Sequence, residues 1–234
     1  MRIGIPVLVS RAVKSDEREM AHWGLSGADL PGVRPASQAR SRQVEVRLLQ
    51  AGHALLDGRP LDTLSIESVC AKAHCSVGGF YRRFDSKEAF FAAIQHLVCR
   101  RRDEDLTGLV ASVGGDWTLD RKCTALAADL VGWYRDNFGV LRASLHMSAN
   151  GDNAWRPMME LGYRHKAIWY DLLQHDLPDD LDAEEQRTRI SFANQVVNGT
   201  LINMILNDPG PVHLSEDRCI ADLAAVMRGY LTVG

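Results

Sequence analysis

A chain of 234 residues with 46% apolar and 24% charged side chains has ordinary globular composition, enough for one or two buried cores. No apolar run approaches the roughly 20 residues that span a bilayer, and the opening MRIGIPVLVS, broken by Gly4 and Pro6, is too short for a signal peptide. A cytoplasmic chain without membrane association is therefore expected, and five cysteines with no CxxC pair or His-flanked cluster argue against a disulfide framework or a metal site.

In chain order, Met1 to Ala36 lacks sustained periodicity and scatters Gly24, Gly27, Pro31, Gly32 and Pro35, which reads as a flexible arm over residues 1–36. From about Ser37 to Asp57, Val44, Leu48, Ala51, Leu55 and Leu56 follow helical spacing, and Gly58 and Pro60 stop that helix. Ser65 is placed to cap a short helix whose apolar face is Ile66, Val69, Cys70 and Ala73. A turn follows at His74-Cys75, histidine being one of the few residues that tolerate a left-handed backbone. Ser76 is placed to cap a second helix over Val77 to Phe84, and Asp85 with Glu88 forms a capping-box signature for the next one. A short helix, a tight turn and a helix bearing Tyr81, Arg82 and Arg83 make a helix-turn-helix of the kind that enters the DNA major groove.

At these residues the sequence resembles the TetR family of bacterial transcriptional regulators. The run Ser76-Val77-Gly78-Gly79-Phe80-Tyr81-Arg82-Arg83-Phe84-Asp85-Ser86-Lys87-Glu88 is similar to the family's Ser-x-Gly-Thr-Leu-Tyr-x-x-Phe-x-Ser-Lys-Glu pattern, and the likeness extends from about Arg42 to Leu97. His74 stands where the family usually has a turn glycine, Gly79 where it often has a hydroxyl residue, and Pro60 where a glycine is usual. The resemblance implies an all-α protein of about nine helices: a DNA-binding head over residues 37–97, and a regulatory and dimerisation body over 98–234.

Charge is divided accordingly. Residues 40–102 hold eleven basic against six acidic residues, a net +5, which leaves –8 for the remainder of a chain whose total is –3. A basic reading head on an acidic body is the expected electrostatic footprint.

The helix starting at Ser86 carries Ala89, Phe90, Ala93, Ile94, Leu97 and Val98 on one face and runs past Arg100-Arg101-Arg102 to about Val110. Ser112 to Thr118, with Gly114-Gly115, is a loop and lacks the Lys-Ser/Thr of a phosphate-binding loop. Beyond it the chain reads as helices: a stripe of Leu119, Cys123, Leu126, Leu130 and Trp133, a short segment from Val140 to Met147, and a helix between Asp152 and His175. That last helix has apolar residues on more than one face, which predicts that it is enclosed. Two final helices, Ala183 to Asn207 and Ser215 to Leu231, flank the Pro209-Gly210-Pro211 breaker. Both carry apolar or small residues outside one stripe, and the resemblance assigns them to a homodimer interface; completing the subunit core is the duller alternative.

For DNA, the resemblance places Ser65, Tyr81 and Lys87 at phosphate contacts, while side-chain chemistry makes Ser76, Val77 and Arg82 the base readers and Arg83 a reader of base or phosphate. Gly78 and Gly79 weaken a helix by about 1 kcal/mol each relative to alanine, which close backbone approach to a DNA strand explains. Cys70 and Cys75 read as small core fillers, with a redox switch as the other reading. In the body, Trp133, Phe138, Met147, Met158, Tyr163 and Asn198 are candidate walls of a small-molecule effector site, although each is also readable as plain core. No cofactor or metal is expected, and the absence of GxSxG or HExxH argues against an enzyme. The expected function is a dimeric, ligand-released repressor on a palindromic duplex operator; a constitutive DNA-binding protein without ligand, and an activator, are the alternatives.

Overall fold

In the computed structural model, which describes residues 23–25, 29–34, 36–57, 61–149, 151 and 153–233, regular structure is helical apart from one isolated bridge between Val33 and Phe84. Nine α-helices lie within the described residues: α1 Ala39–Leu56, α2 Ile66–Lys72, α3 Val77–Tyr81, α4 Lys87–Ser112, α5 Leu119–Asp136, α6 Phe138–Ala149, α7 Arg156–Leu173, α8 Ala183–Leu206 and α9 Arg218–Thr232. The all-α expectation holds. Most of the expected arm, together with the Gly58 and Pro60 stop signals, lies outside the described residues.

The chain divides into two compact units. One comprises the described residues up to Gly52 with Ser65–Ala93; the other comprises those of His53–Leu64 with Ile94–Gly234. In the first, the centre is a cluster of rings: Phe80 lies 5.3 Å from Phe84 and 5.1 Å from Phe90, and Phe84 lies 4.9 Å from Phe90, centroid to centroid. All three are buried, and burying such a side chain is worth about 1.5–3 kcal/mol. Leu48, Leu49, Val69 and Ala73 are buried in the same unit.

Residues expected as a loose arm are tied to this unit. The buried Glu45 carboxylate accepts from the Leu25 N–H at 3.1 Å and the Ala36 N–H at 2.7 Å. The Arg34 N–H donates to the Arg83 carbonyl at 2.7 Å, and the Asp85 N–H to the Gly32 carbonyl at 2.8 Å. The Arg34 guanidinium also pairs with Asp85. Asp85 is thereby spent, and the cap of α4 is Ser86 instead, whose hydroxyl accepts from the Ala89 N–H at 3.1 Å. The Glu88 carboxyl is held below its ordinary range by its own backbone N–H and by the Ser86 hydroxyl.

In the second unit α9 packs against α5 and α8, and α8 against α7. The core is apolar: Leu126, Val131, Leu173, Ile190, Val197, Leu201, Cys219 and Leu231 are buried. Gln95 of α4 bridges to Ser144 at 2.8 Å and the Ala154 carbonyl at 2.7 Å, which satisfies a buried amide. The start of α6 lies against the end of α1. Gly139 N–H donates to Asp57 at 3.3 Å, and a Cβ on Gly139 would overlap the Leu56 carbonyl and the Asp57 nitrogen. One expectation fails for α7. Met159 and Tyr163 are 49% and 64% exposed, so its second apolar face is open rather than enclosed.

Because backbone cannot give way as a flexible side chain can, Gly139→Ala is expected to cost about 1–3 kcal/mol in denaturant unfolding; an unchanged midpoint would contradict this packing. Glu45→Gln keeps one acceptor oxygen but puts an NH2 donor against the other N–H group, and is expected to cost about 1–3 kcal/mol. Unaltered stability would mean that Glu45 does not tie residues 25 and 36 to the head.

Candidate nucleic-acid interface and body cavity

Two serines and a left-handed histidine set the helix-turn-helix. The Ser65 hydroxyl accepts from the Ser68 N–H at 3.0 Å and starts α2. That helix ends when His74 turns to φ 51°. The Cys75 N–H then reaches back to the Cys70 carbonyl at 3.0 Å and the His74 N–H to the Ala71 carbonyl at 3.3 Å, the paired bonds of a Schellman stop. The side chains that meet across this stop are Cys70 and Cys75. Burial first, and Cys75 next, push the Cys70 thiol up to about 12, so it stays protonated and packs as a small apolar group.

Ser76 then caps α3, accepting from the Gly79 N–H at 3.1 Å. The helix stops at Tyr81, three residues short of the sequence expectation. What lies on its outward face is the useful part: Val77 is 38% exposed, Tyr81 48%, and Gly78 and Arg82 are exposed as well. Ser65 and Ser76 are exposed, with their hydroxyls engaged as caps. Lys87 opens α4 and is half-buried. Gly79 is buried, and no atom would lie within 4 Å of a Cβ on Gly78.

Arg83 departs from expectation. It is 7% exposed, and its guanidinium donates to the Gly79 carbonyl at 2.6 Å, the Ser41 carbonyl at 3.0 Å and the Ser41 hydroxyl at 2.7 Å. Burial pulls its pKa below the ordinary value, and Glu45 opposes that shift. A guanidinium so engaged ties α3 to the start of α1, with its Nη atoms turned to protein oxygens.

The sequence reading missed a basic groove beside this helix. Arg40, Gln43 and Arg47 line it from α1, and His74 and Arg82 from the turn and the end of α3, around about 410 Å³. Arg47 also donates to the Ala73 carbonyl at 3.1 Å, closing a helix end. Positions 40, 43 and 47 share one helix face, a spacing that could have revealed them.

In the body, a cavity of about 340 Å³ lies among α4, α5, α7 and α8. Of the expected walls, Trp133, Met158, Tyr163 and Asn198 line it, whereas Phe138 and Met147 do not. Phe138 instead opens α6 beneath the Arg142 guanidinium, 5.3 Å from its ring centre. Tyr134 donates to Asn198 at 3.1 Å and is pushed above the ordinary phenol range by burial. His165 bonds Asp103 at 2.9 Å; burial and then Arg102 hold its pKa below the ordinary value. Arg102, absent from the expected set, lines the cavity with 1% of its surface exposed and pairs with Asp129. Among the described residues no group of three or more His, Cys, Asp or Glu is placed to hold a metal ion, and no helix is long and apolar enough to cross a membrane.

Residues 48–94 match the family model of the bacterial regulatory proteins, tetR family. No curated protein matches the chain in sequence. Among solved structures, the chain is similar to the ketosteroid transcriptional regulator KstR2 of Mycobacterium tuberculosis at 16% identity and a TM-score of 0.56, covering 86% of this chain and 100% of that one. It is similar to a tetR-family transcriptional regulator from Streptomyces coelicolor at 14% identity and a TM-score of 0.59, covering 83% and 80%. A TetR-like transcriptional regulator from Rhodococcus sp. RHA1 aligns at 16% identity and a TM-score of 0.57, covering 83% and 97%. The helix-turn-helix head of this chain is therefore that of the bacterial regulatory proteins of the tetR family, on a chain whose fold is that of solved regulators of the same family.

Proposed function

We propose that this protein is a sequence-specific DNA-binding transcriptional regulator that works as a homodimer and is released from a palindromic operator by a small molecule bound in its body. The observation that carries the reading is the outward face of α3. Val77, Tyr81 and Arg82 stand exposed together on a helix fixed by the Ser76 cap and by Arg83, beside a groove lined by Arg40, Arg47 and His74. Arg82 offers guanine the two-pronged donor pair that O6 and N7 accept, and Val77 an apolar contact for a thymine methyl. Ser65, Tyr81 and Lys87 supply phosphate contacts, which set affinity and its salt dependence, and Ser76 stands with Val77 and Arg82 among the base readers. Gly78 and Gly79 let that backbone approach the strand.

Pairing of two copies is supported by α8 and α9. Phe192 and Val226 are 45% and 51% exposed, Tyr230 is 39% exposed, and the Phe192 and Tyr230 rings touch at 5.3 Å. An exposed aromatic and aliphatic patch on adjacent helices is what a second copy would cover. The cavity beneath Trp133 and Met158 supports ligand control, and α4 supplies residues to both units. Release follows if ligand favours a dimer whose heads no longer match the half-site spacing.

Gel-shift titration on a duplex selected from random sequence tests the head. Arg82→Ala is expected to lose ~1–3 kcal/mol of affinity with relaxed sequence preference and with unchanged melting; parental affinity would refute the assignment. Gly78→Ala is expected to gain about 0.5–1 kcal/mol of stability, since no atom opposes the new Cβ, while losing affinity for duplex. Affinity equal to the parent would show that the backbone does not approach DNA there.

A further inference from the structure

The unpartnered polar atoms in the walls of the body cavity are all of one kind. Arg102 spends Nη1 on Asp129, but its Nε and Nη2 have no partner, and neither do the Trp133 and Trp169 indole nitrogens. All four are buried, and all four are donors. A buried donor without an acceptor is costly, and a molecule that supplies acceptors removes that cost. The Nε and Nη2 pair is also a particular shape: the side-on edge of a guanidinium, whose two parallel N–H bonds match the two oxygens of one carboxylate. Charge agrees with shape. Arg102 and Lys166 line the cavity and no carboxylate does; Asp129 pairs with Arg102, and Asp103 bonds His165, from outside that lining. Apolar and aromatic side chains such as Leu130, Trp155, Met158 and Ile202 make up most of the remaining wall around about 340 Å³, with Asn194, Gln195 and Asn198 as its amides.

We propose that the cavity takes a small apolar carboxylic acid, its carboxylate seated on the Nε and Nη2 edge of Arg102 and its hydrocarbon part held among the aromatic walls. The proposal rests on the reading of the body as a ligand-binding unit. Because the four donors are dry, the head group reaches Arg102 by turning aside Trp133, the half-buried ring whose centre lies 5.8 Å from the guanidinium carbon. The Trp133 and Trp169 N–H groups are the further unmet donors of the same walls. Arg102 lies on α4, so the charge that grips the acid sits on the helix that also begins in the head unit.

Isothermal titration of the full chain with 2-naphthoate, cyclohexanebutyrate and decanoate, each against its primary amide, tests this. The amide keeps size and shape but loses the charge and one acceptor. At least one acid is expected to bind about ten-fold more tightly than its amide. Arg102→Lys keeps the charge facing Asp129 but lacks the two-pronged edge, and it is expected to shrink that preference several-fold. Equal binding of acid and amide, or a preference undiminished in Arg102→Lys, would overturn the head-group assignment and leave the ligand-binding reading standing. If no acid and no amide bound, the ligand-binding reading would fall and this proposal with it. Should Arg102→Lys not fold, the acid-to-amide ratio of the parent decides.

Discussion

The head depends on a buried guanidinium. Arg83 leaves the chain just after α3 and turns back beneath it, donating to the carbonyl of Gly79 and to both oxygens of Ser41. Burying a cation is costly unless its donors are met and its charge is answered; here three hydrogen bonds meet both Nη atoms and the nearby Glu45 answers the charge, while Nε stays without a partner. Glu45 in turn accepts from two backbone N–H groups of the N-terminal segment. One network therefore fixes α3 against α1 and holds residues 25 and 36 in place. With Arg83 facing in, Val77, Tyr81 and Arg82 face out, and the outward face is the chemistry the head has to offer.

Much of this was legible because it is local. Caps at Ser65 and Ser76, the left-handed turn at His74, and the limits of the long helices follow from residues that interact within a turn or two of themselves. What sequence reasoning missed is tertiary. Asp85 has the spacing of a cap, but Arg34, fifty-one residues away, takes it, and the cap passes to Ser86. Arg83 is one more arginine in a basic run until Ser41 is seen beneath it.

Arg102 is the instructive omission. Within Arg100-Arg101-Arg102 it reads as part of a solvated charge run, yet it falls on the stripe Ile94, Val98, Arg102, Leu106, spaced by four, and all four positions are buried. A charge on an apolar stripe is a signal that periodicity could have raised. By contrast, nothing in the pattern separates the enclosed face of α7 from its exposed one. Leu161 and Trp169 are buried while Met159 and Tyr163 are open, and an apolar side chain states only that it resists water, not which surface covers it.

The central claim is that the exposed face of α3 reads duplex DNA, twice, in a symmetric pair. Selection of bound duplexes from a random library with the full chain tests it most directly. The account predicts enrichment of an inverted repeat whose half-sites lie about one helical turn, or a multiple of it, apart, together with steep loss of binding as salt rises. Recovery of no preferred sequence, or of a single half-site without symmetry, would contradict it.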